Sequence, residues 1–220
     1  MFVGHFALGF AAKRAAPRVS LGVLFLAAQL ADVLWPIFVA AGLETVRIAP
    51  GITVVTPLDF VSYPYSHSLA ALCVWGAVLG AICALAVGGR RTFFVVGALV
   101  VSHWLLDWIA HRPDMPIYPG GAKYGLALWN SLPATLVVEL VLFAAGVWLY
   151  VSATRARDGI GRWSLVALAA FLLIAYGGNL AGGAPPSVLA IVVAGIAGAA
   201  LILVWSWWTD RHLAAGQARG

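Results

Sequence analysis

The chain is 220 residues long; 63% of its residues are hydrophobic and only 10% are charged. Its mean hydropathy of +0.97 lies far outside the range of soluble globular domains. This small number of charges cannot solvate the surface of a water-soluble fold of this size. The composition therefore predicts an integral membrane protein. The net charge of +5 comes without a basic cluster with interleaved aromatic residues, so nucleic acid is not expected as a partner.

About six apolar stretches are long enough to cross a hydrocarbon core of roughly 30 Å. They lie near 19–41, 67–89, 92–111, 132–153, 163–183 and 186–209. Residues 1–12 are apolar but only about half a span long, and they lack the basic start of a signal peptide. We therefore expect them to be retained as a half-helix that re-enters from the cytoplasmic side at Lys13. The predicted fold is all-α: one polytopic membrane bundle of about six transmembrane helices plus this N-terminal half-helix, forming a single integral membrane domain over 1–220.

Basic residues are distributed unequally between the predicted loops. Only Arg47, Arg112 and Lys123 lie on one side of the spans. The other side carries Lys13, Arg14, Arg18, Arg90, Arg91, Arg155, Arg157, Arg162, Arg211 and Arg219. The positive-inside rule places this richer side in the cytoplasm. We therefore predict a multi-pass protein of the bacterial cytoplasmic membrane with both termini in the cytoplasm.

Small residues within the spans predict close helix packing. Gly76 with Gly80, and Ala194 with Gly198, are spaced so that two helices can approach closely, and packing within the bundle is favoured over dimerisation. The two cysteines, Cys73 and Cys83, lie in one apolar stretch. They are expected to be small buried hydrophobic residues, not a disulfide or a metal site.

The ionisable residues inside the spans form a group. Asp32 lies in the first span, His67 opens the second, His103 and Asp107 lie in the third with His111 at its end, and Glu139 lies in the fourth. Each such residue costs at least about 2.5–3.5 kcal/mol at bilayer depth, so a function is expected for them. His103, Asp107 and His111 are four residues apart and therefore share one helix face.

A rise of about 1.5 Å per residue gives the depth of these groups. Counted from the nearest cytoplasmic arginine, Asp32, His103, Asp107 and Glu139 fall roughly 18–24 Å into the membrane. By the same count His67 and His111 lie higher, near the outer interface, and His5 lies lower. The predicted site is a funnel that opens outward.

Histidine with carboxylate is the ligand mixture of zinc sites and of mixed Zn, Mn or Fe sites. A divalent metal also offsets the cost of burying the carboxylates. We therefore predict a metal centre, with zinc as the first expectation, one or two ions, and manganese as a possibility. The alternative is a hydrogen-bonded polar seam between helices, and His5, His67 and Glu139 taken singly are equally compatible with structural roles.

The loop at 112–131 is rich in Pro and Gly. Its Arg112 and Lys123 are able to hold an anionic group over the site, as a mobile lid would, although an ordinary solvated loop is the favoured interpretation. Asn130 is a candidate substrate contact.

The order of the short motifs is similar to that of a known family. Gly4-His5, Asp32, Ser66-His67-Ser68 and His103-x3-Asp107 resemble the YdjM-like family of membrane-bound metal-dependent hydrolases. The resemblance covers roughly residues 1–140 and leaves 141–220 as the rest of the fourth span and two additional helices. The family is grouped with the zinc-dependent phospholipases C and the single-strand-specific zinc nucleases, which are helical and cleave phosphoesters at a cluster of zinc ions.

The resemblance implies phosphoester hydrolysis and assigns the metal ligands. They are His5, Asp32, His67, His103 and Asp107, to which helical phase adds His111. Two departures from the family pattern are visible. Leu34 stands where a second acid is frequent, and Met115 stands four residues beyond His111, so one or two ions are expected instead of three.

These features together predict a membrane-embedded hydrolase that acts on the phosphoester of a lipid or lipid-linked substrate at the outer leaflet. Glu139 is the predicted base, with Asp107 as a second catalytic carboxylate, and Arg112, Lys123 and Asn130 are the predicted substrate contacts. A transporter or proton conduit is the first alternative, and it requires ionisable groups along the whole membrane depth. A non-catalytic membrane scaffold is the second.

Overall fold

The computed structural model describes residues 1–215, so the predicted cytoplasmic Arg219 lies outside the described residues. The described chain folds into a bundle of nine helices, which confirms the all-α prediction. The helices are α1 (Val3–Ala15), α2 (Leu21–Ala28), α3 (Leu30–Ala40), α4 (Pro64–His67), α5 (Leu69–Val87), α6 (Arg90–Ala110), α7 (Leu132–Ala153), α8 (Gly159–Ala181) and α9 (Val188–Arg211).

Five of these helices, α5 to α9, are long and apolar enough to cross a membrane. Four of them begin and end within two residues of the predicted spans, and α8 begins four residues early, at Gly159. The predicted first span is a bent pair instead of one straight helix, because α2 and α3 meet at an angle of 60°. The break falls on Gln29, whose backbone is not helical (φ −107°, ψ 10°).

The break leaves the carbonyl oxygen of Ala28 free to accept a hydrogen bond from another helix. In an unbroken helix this oxygen would accept from the N–H of Asp32, four residues on. Here it lies 2.8 Å from the imidazole Nδ1 of His103 on α6. Pro36 lies within α3 and has no N–H to donate to the carbonyl of Asp32, so helical bonding is weakened on both sides of Asp32.

Helix α1 is the predicted half-helix, and both of its ends are fixed. Its first turn lies inside the bundle, where the Glu139 carboxylate accepts from the backbone N–H of Phe2 (2.8 Å) and of Gly4 (3.0 Å). Its last turn carries the buried Lys13, whose Nζ lies 2.7 Å from Asp210 on α9. The helix therefore runs from the middle of the bundle to one end of it.

The connections between helices gather at two opposite ends of the bundle. The strands in them pair as antiparallel hairpins or bridges: β1 (Thr45–Ile48) with β2 (Leu58–Ser62), β3 (Met115–Pro116) with β4 (Lys123–Tyr124), and β5 (Thr154–Ala156) with β6 (Leu213–Ala215). We call the end with β1–β4 the hairpin end, and the end with β5, β6 and Lys13 the basic end. This sorting of loops agrees with the predicted topology, whereas the side of the membrane that each end faces stays a prediction.

Glycines bring α5 and α6 into close contact, which confirms packing within the bundle. A Cβ atom on Gly76 would lie 2.8 Å from the carbonyl of Gly97, and one on Gly80 would lie 2.7 Å from the carbonyl of Phe93. The second pair of small residues serves a different purpose. Ala194 and Gly198 line a cavity, which is described below.

Both cysteines are free, but their surroundings differ. Cys83 is buried as predicted, whereas Cys73 is exposed on α5. The expectation that both are buried is therefore wrong for Cys73, because it points away from the bundle on the face of α5 opposite its partner helices.

Candidate metal centre

Six of the predicted ligands meet in one place, which we call the His–Asp cluster. Its members are His5 from α1, Asp32 from α3, His67 from α4, His103 and Asp107 from α6, and His111 directly after α6. All of them are buried except Asp32, whose side chain is 43% exposed. The cluster thus draws on four separate parts of the chain.

Asp107 is the centre of the cluster. Its Oδ1 lies 2.9 Å from His5 Nε2, and its Oδ2 lies 3.1 Å from His103 Nε2. The same Oδ2 lies 3.7 Å from His111 Nε2 and 3.8 Å from His67 Nε2. Asp107 therefore faces four imidazoles with its two oxygens.

Asp32 completes the other side of the cluster. Its Oδ1 lies 3.4 Å from His67 Nε2 and 3.8 Å from His103 Nε2. His103 consequently stands between the two carboxylates. The backbone nitrogen of Met1 also contacts Asp107 and lies 3.0 Å from His5 Nε2.

The predicted difference in depth between these residues is wrong. His5, expected lower, stacks its ring on His103 with 3.8 Å between the ring centres. His111 and His67, expected higher, both lie within 4 Å of Asp107. The count failed for His111 because α6 ends at Ala110 and the backbone of His111 is extended (φ −70°, ψ 152°), so His111 does not continue the helical rise.

Two groups of three residues have the geometry to hold a metal ion. In His5, His103 and Asp107, and again in Asp32, His67 and His103, one donor atom from each residue lies within 4.8 Å of the others. His103 belongs to both groups. The buried His–Asp cluster is therefore able to hold a metal ion, and two adjacent groups suit the predicted one or two ions.

In three of the imidazoles, the Nδ1 atom, which points away from Asp107, is hydrogen-bonded to an acceptor. His103 Nδ1 bonds to the Ala28 carbonyl at 2.8 Å, and His111 Nδ1 bonds to Asp114 Oδ1 at 3.0 Å. His67 Nδ1 lies 2.7 Å from Ser66 Oγ. Metal-binding histidines characteristically donate from one ring nitrogen in this way, which leaves the lone pair of Nε2 free for the ion.

Ser66 is in turn hydrogen-bonded to Glu44, a residue that the sequence did not point to. The Ser66 hydroxyl donates to Glu44 Oε2 at 2.6 Å, so its oxygen is left to accept from His67. The other oxygen of Glu44 accepts from the backbone N–H of Tyr65 and Ser66, each at 2.8 Å. Glu44 lies 22 positions before Ser66, and no helical or strand spacing connects them.

Asp114 has the corresponding role behind His111. It accepts from His111, from the Tyr63 hydroxyl at 2.8 Å and from Arg112 Nε at 3.0 Å. Burial alone would raise the pKa of Asp114, but these hydrogen bonds outweigh it and hold the pKa below its ordinary value. Burial, followed by the charge of Asp114, raises the pKa of Tyr63 well above its ordinary value, so its hydroxyl remains a donor.

The predicted substrate contacts lie at the hairpin end. Arg112 contacts Asp59 as well as Asp114, and Lys123 donates to the carbonyl of Val61 at 3.1 Å. With Arg47 they line a pocket of about 460 Å³. Asn130 is exposed at the end of a single 3₁₀ turn.

The loop that carries them packs against the cluster in places, although half of residues 112–131 are exposed, as expected for a solvated loop. Its Trp129 ring lies 4.2 Å from the ring of His111. A Cβ atom on Gly125 would lie only 2.1 Å from the Arg112 carbonyl, so the chain passes too close there for any other residue. The loop thus closes the hairpin end of the His–Asp cluster.

Glu139 is buried at the cluster's depth, as predicted, but it faces α1. Both of its oxygens accept from the backbone N–H of Phe2, at 2.8 and 3.1 Å. A carboxylate at this position stabilises the N-terminus of the helix. The structure therefore gives Glu139 a role in holding α1, and with it His5, in place.

The exposed side of the cluster opens into a cavity of about 620 Å³ between α1, α3, α8 and α9. Asp32 is the one charged residue among the described residues that line it. Gln29 and Trp35 also line it, and each has a buried polar atom without a hydrogen-bond partner. The cluster is therefore closed on the hairpin end and accessible from the cavity.

Fold and site together define a membrane-type helical bundle with a buried histidine and aspartate group able to hold a metal ion. Comparison of the chain with models of known families, with curated proteins and with solved structures finds no significant match.

Proposed function

We propose that the chain is a membrane-embedded, metal-dependent hydrolase that cleaves a phosphoester of a lipid or lipid-linked substrate. The observation that carries this proposal is the orientation of three imidazoles in the His–Asp cluster. His67, His103 and His111 are each held at Nδ1 and each turn Nε2 toward the carboxylates. This is the arrangement expected around a metal ion.

The polar-seam alternative accounts less well for the same atoms. A seam that only orders helices pairs its buried polar atoms, because an unpaired one costs about 1–3 kcal/mol. His103 Nε2 is buried 3.1 Å from Asp107 and 3.8 Å from Asp32, but with neither carboxylate does it have the geometry of a hydrogen bond. A metal ion would use this nitrogen together with both carboxylates.

In the proposed centre His103, Asp107, Asp32 and His67 are the core ligands, and His5 or His111 completes the shell. Zinc is the ion we expect, with manganese as the alternative. Such an ion lowers the pKa of a coordinated water toward 7, which supplies a nucleophile at neutral pH.

The position of the carboxylates suggests a different base from the one predicted. Both oxygens of Glu139 are occupied by backbone N–H groups of α1. Asp32 is partly exposed to the cavity, so it is able both to accept a proton from water and to release it. We therefore assign the base to the second oxygen of Asp32, whose Oδ1 faces His67 and His103 as a ligand, and a positioning role to Glu139.

The substrate class rests on two supports. The resemblance in Gly4-His5, Asp32, Ser66-His67-Ser68 and His103-x3-Asp107 favours a phosphoester. The cavity beside Asp32 lies among apolar helices, which favours a substrate that arrives from the lipid.

A conduit for ions is the second candidate, and one observation favours it. The basic end contains a buried group that we had not anticipated: Lys13, Asp210 and the Tyr150 hydroxyl, which bonds to Asp210 at 2.7 Å. It lies about 12 Å from His5 along α1, counted at 1.5 Å per residue. The α1 residues in between, from Phe6 to Ala12, are all apolar, and Phe10 packs against Phe25 with 4.8 Å between ring centres. Because this layer offers no polar relay, the hydrolase is the better supported function.

The test is elemental analysis of the detergent-purified protein, the Asp32→Asn and His103→Ala variants, and a His212→Ala control. His212 bonds to Asp158 near the basic end, away from the cluster. We expect near-stoichiometric zinc or manganese in the parent and the control, and loss of metal from monodisperse His103→Ala. Release of a phosphorylated head group from phospholipids, or of phosphate from polyprenyl phosphates, should then be lost in both cluster variants.

Two results would contradict the proposal. One is the absence of metal in the parent protein after reconstitution with zinc or manganese. The other is metal that remains in His103→Ala at the level found in His212→Ala. A scaffold would instead show loss of assembly in the cluster variants before any change in metal content.

A further inference from the structure

The cavity beside Asp32 is shaped by small residues on one face of α9. Ala190, Ala194 and Gly198 follow each other at intervals of four and therefore line one side. The lining on α9 continues to Leu203, so it extends over roughly 20 Å at 1.5 Å per residue. The result is an elongated apolar space within the size range of ligand pockets, about 300–1,000 Å³.

The opposite wall comes from α3 and α8. Val33 lies on α3, and Phe171 and Ala175 lie one turn apart on α8. Helices α8 and α9 are among the least buried of the five long helices, so we expect lipid beside them. A water-soluble ligand would lose its hydration in such a space, whereas an alkyl chain would exchange one apolar environment for another.

The end of the cavity next to the His–Asp cluster is polar. Gln29 and Trp35 are each only 9% exposed, and they leave Oε1 and Nε1 without a partner. Both line the cavity together with Asp32. Because buried polar groups are normally paired, two unpaired ones at the same end indicate a ligand that supplies the partners.

We infer that this cavity binds a single alkyl chain of an anionic lipid beside Asp32, with the Trp35 indole N–H donating to its phosphate and Gln29 Oε1 accepting from a hydroxyl of the same head group. The inference rests on the proposed hydrolase function and names how its substrate is held. Gln29 is suited to this role because it occupies the break between α2 and α3, which places its side chain next to the metal ligands. The chain lies along Ala194 and Gly198, whose small size keeps the space open.

The experiment uses hexadecylphosphonate with a photoactivatable diazirine in the middle of its chain, added to the full chain in phosphatidylcholine nanodiscs. The carbon–phosphorus bond resists hydrolysis, so the probe stays intact during labelling. Labelled peptides are located by mass spectrometry. We expect labels concentrated within 171–179 and 190–203, and unlabelled hexadecylphosphonate should compete about tenfold better than hexadecanol, the equivalent of one hydrogen bond to a charged group.

Two leucine substitutions form a matched pair. A Cβ atom meets nothing within 4 Å at Gly198 or at Gly177, but only Gly198 lines the cavity. Gly198→Leu should abolish most of the labelling and Gly177→Leu should leave it unchanged. Trp35→Phe should reduce the preference for phosphonate over alcohol by about tenfold, because it removes the N–H that donates to the charged group.

Zinc content measured on the same samples separates this inference from the proposed function. Zinc in the parent protein with labels spread evenly over the lipid-facing helices would overturn the inference and leave the metal centre intact. Equal competition by hexadecanol would overturn it as well. Confined, phosphonate-selective labelling without zinc would support the lipid site and overturn the metal centre. The labelling pattern of the parent protein tests the lipid site even if a variant fails to fold.

Discussion

The two serines of the Ser66-His67-Ser68 motif should have separable effects. The Ser66 hydroxyl is fully buried, accepts from His67 Nδ1 at 2.7 Å and donates to Glu44 at 2.6 Å. Ser66→Ala removes the group that orients His67. Loss of such an outer hydrogen bond lowers metal affinity by about 10- to 100-fold, which is about 1.4–2.7 kcal/mol.

Ser68→Ala is the matched control. Ser68 is equally buried, but its hydroxyl accepts from the backbone N–H of Ala71 at 3.2 Å and caps the start of α5. Its removal should cost about 1 kcal/mol of stability without touching an imidazole. The metal-free protein should therefore unfold at a lower temperature in Ser68→Ala, while its zinc affinity stays that of the parent.

Zinc affinity is measured by competition with a chromogenic chelator in detergent, and stability by thermal unfolding of the metal-free protein. The reasoning is refuted if Ser66→Ala binds zinc as tightly as the parent. It is equally refuted if Ser68→Ala weakens zinc binding as much as Ser66→Ala does, because orientation of His67 would then not be the cause.

Three further changes test the framework around the cluster. Glu139→Gln should lower the free energy of unfolding by about 2 kcal/mol, because a charged acceptor at the start of α1 is lost; a stable variant with no phosphate release would instead identify Glu139 as the base. Gly146→Ala should lower the free energy of unfolding, measured by thermal unfolding, by about 1–3 kcal/mol, because its Cβ would lie 2.3 Å from the Ala7 carbonyl. Gly177→Ala, whose Cβ meets nothing within 4 Å, should leave the free energy of unfolding unchanged. Because its folded pKa is depressed, Asp114 stabilises the protein above its unfolded pKa of about 3.9, and this contribution disappears as pH falls through the lower folded pKa. The unfolding temperature should thus fall as the pH is lowered below about 4, and it should fall less in Asp114→Asn. Identical pH profiles of the parent and this variant would contradict the role of Asp114.

Much of the fold could be predicted from the sequence because lipid imposes a simple rule. Each span must be a long apolar helix, and its length follows from the membrane thickness. The helical phase of His103, Asp107 and His111 likewise follows from their spacing, since all three lie on or next to one helix. Local geometry of this kind is contained in the order of the residues.

The contacts that fix the imidazoles could not be predicted in this way. Glu44 reaches Ser66 only because a hairpin folds back on α4, and no spacing encodes that return. Asp114 stands three residues after His111, one short of the four-residue spacing considered for a further ligand, so spacing did not mark it as the partner of His111. The break at Gln29 has no glycine or proline to mark it, and the contact that uses it, from His103 to the Ala28 carbonyl, comes from another helix.

The Ala28 carbonyl links the shape of the first span to the chemistry of the site. In the bent backbone the imidazole of His103 occupies the place that the N–H of Asp32 holds in a straight helix. Straightening the span would therefore release the His103 ring to rotate and, in the same movement, carry Asp32 away from it. Two ligands would be disabled by a rearrangement at a residue that is not a ligand. Variants at Gln29 should accordingly be assessed for helix geometry before any loss of metal is ascribed to the missing amide.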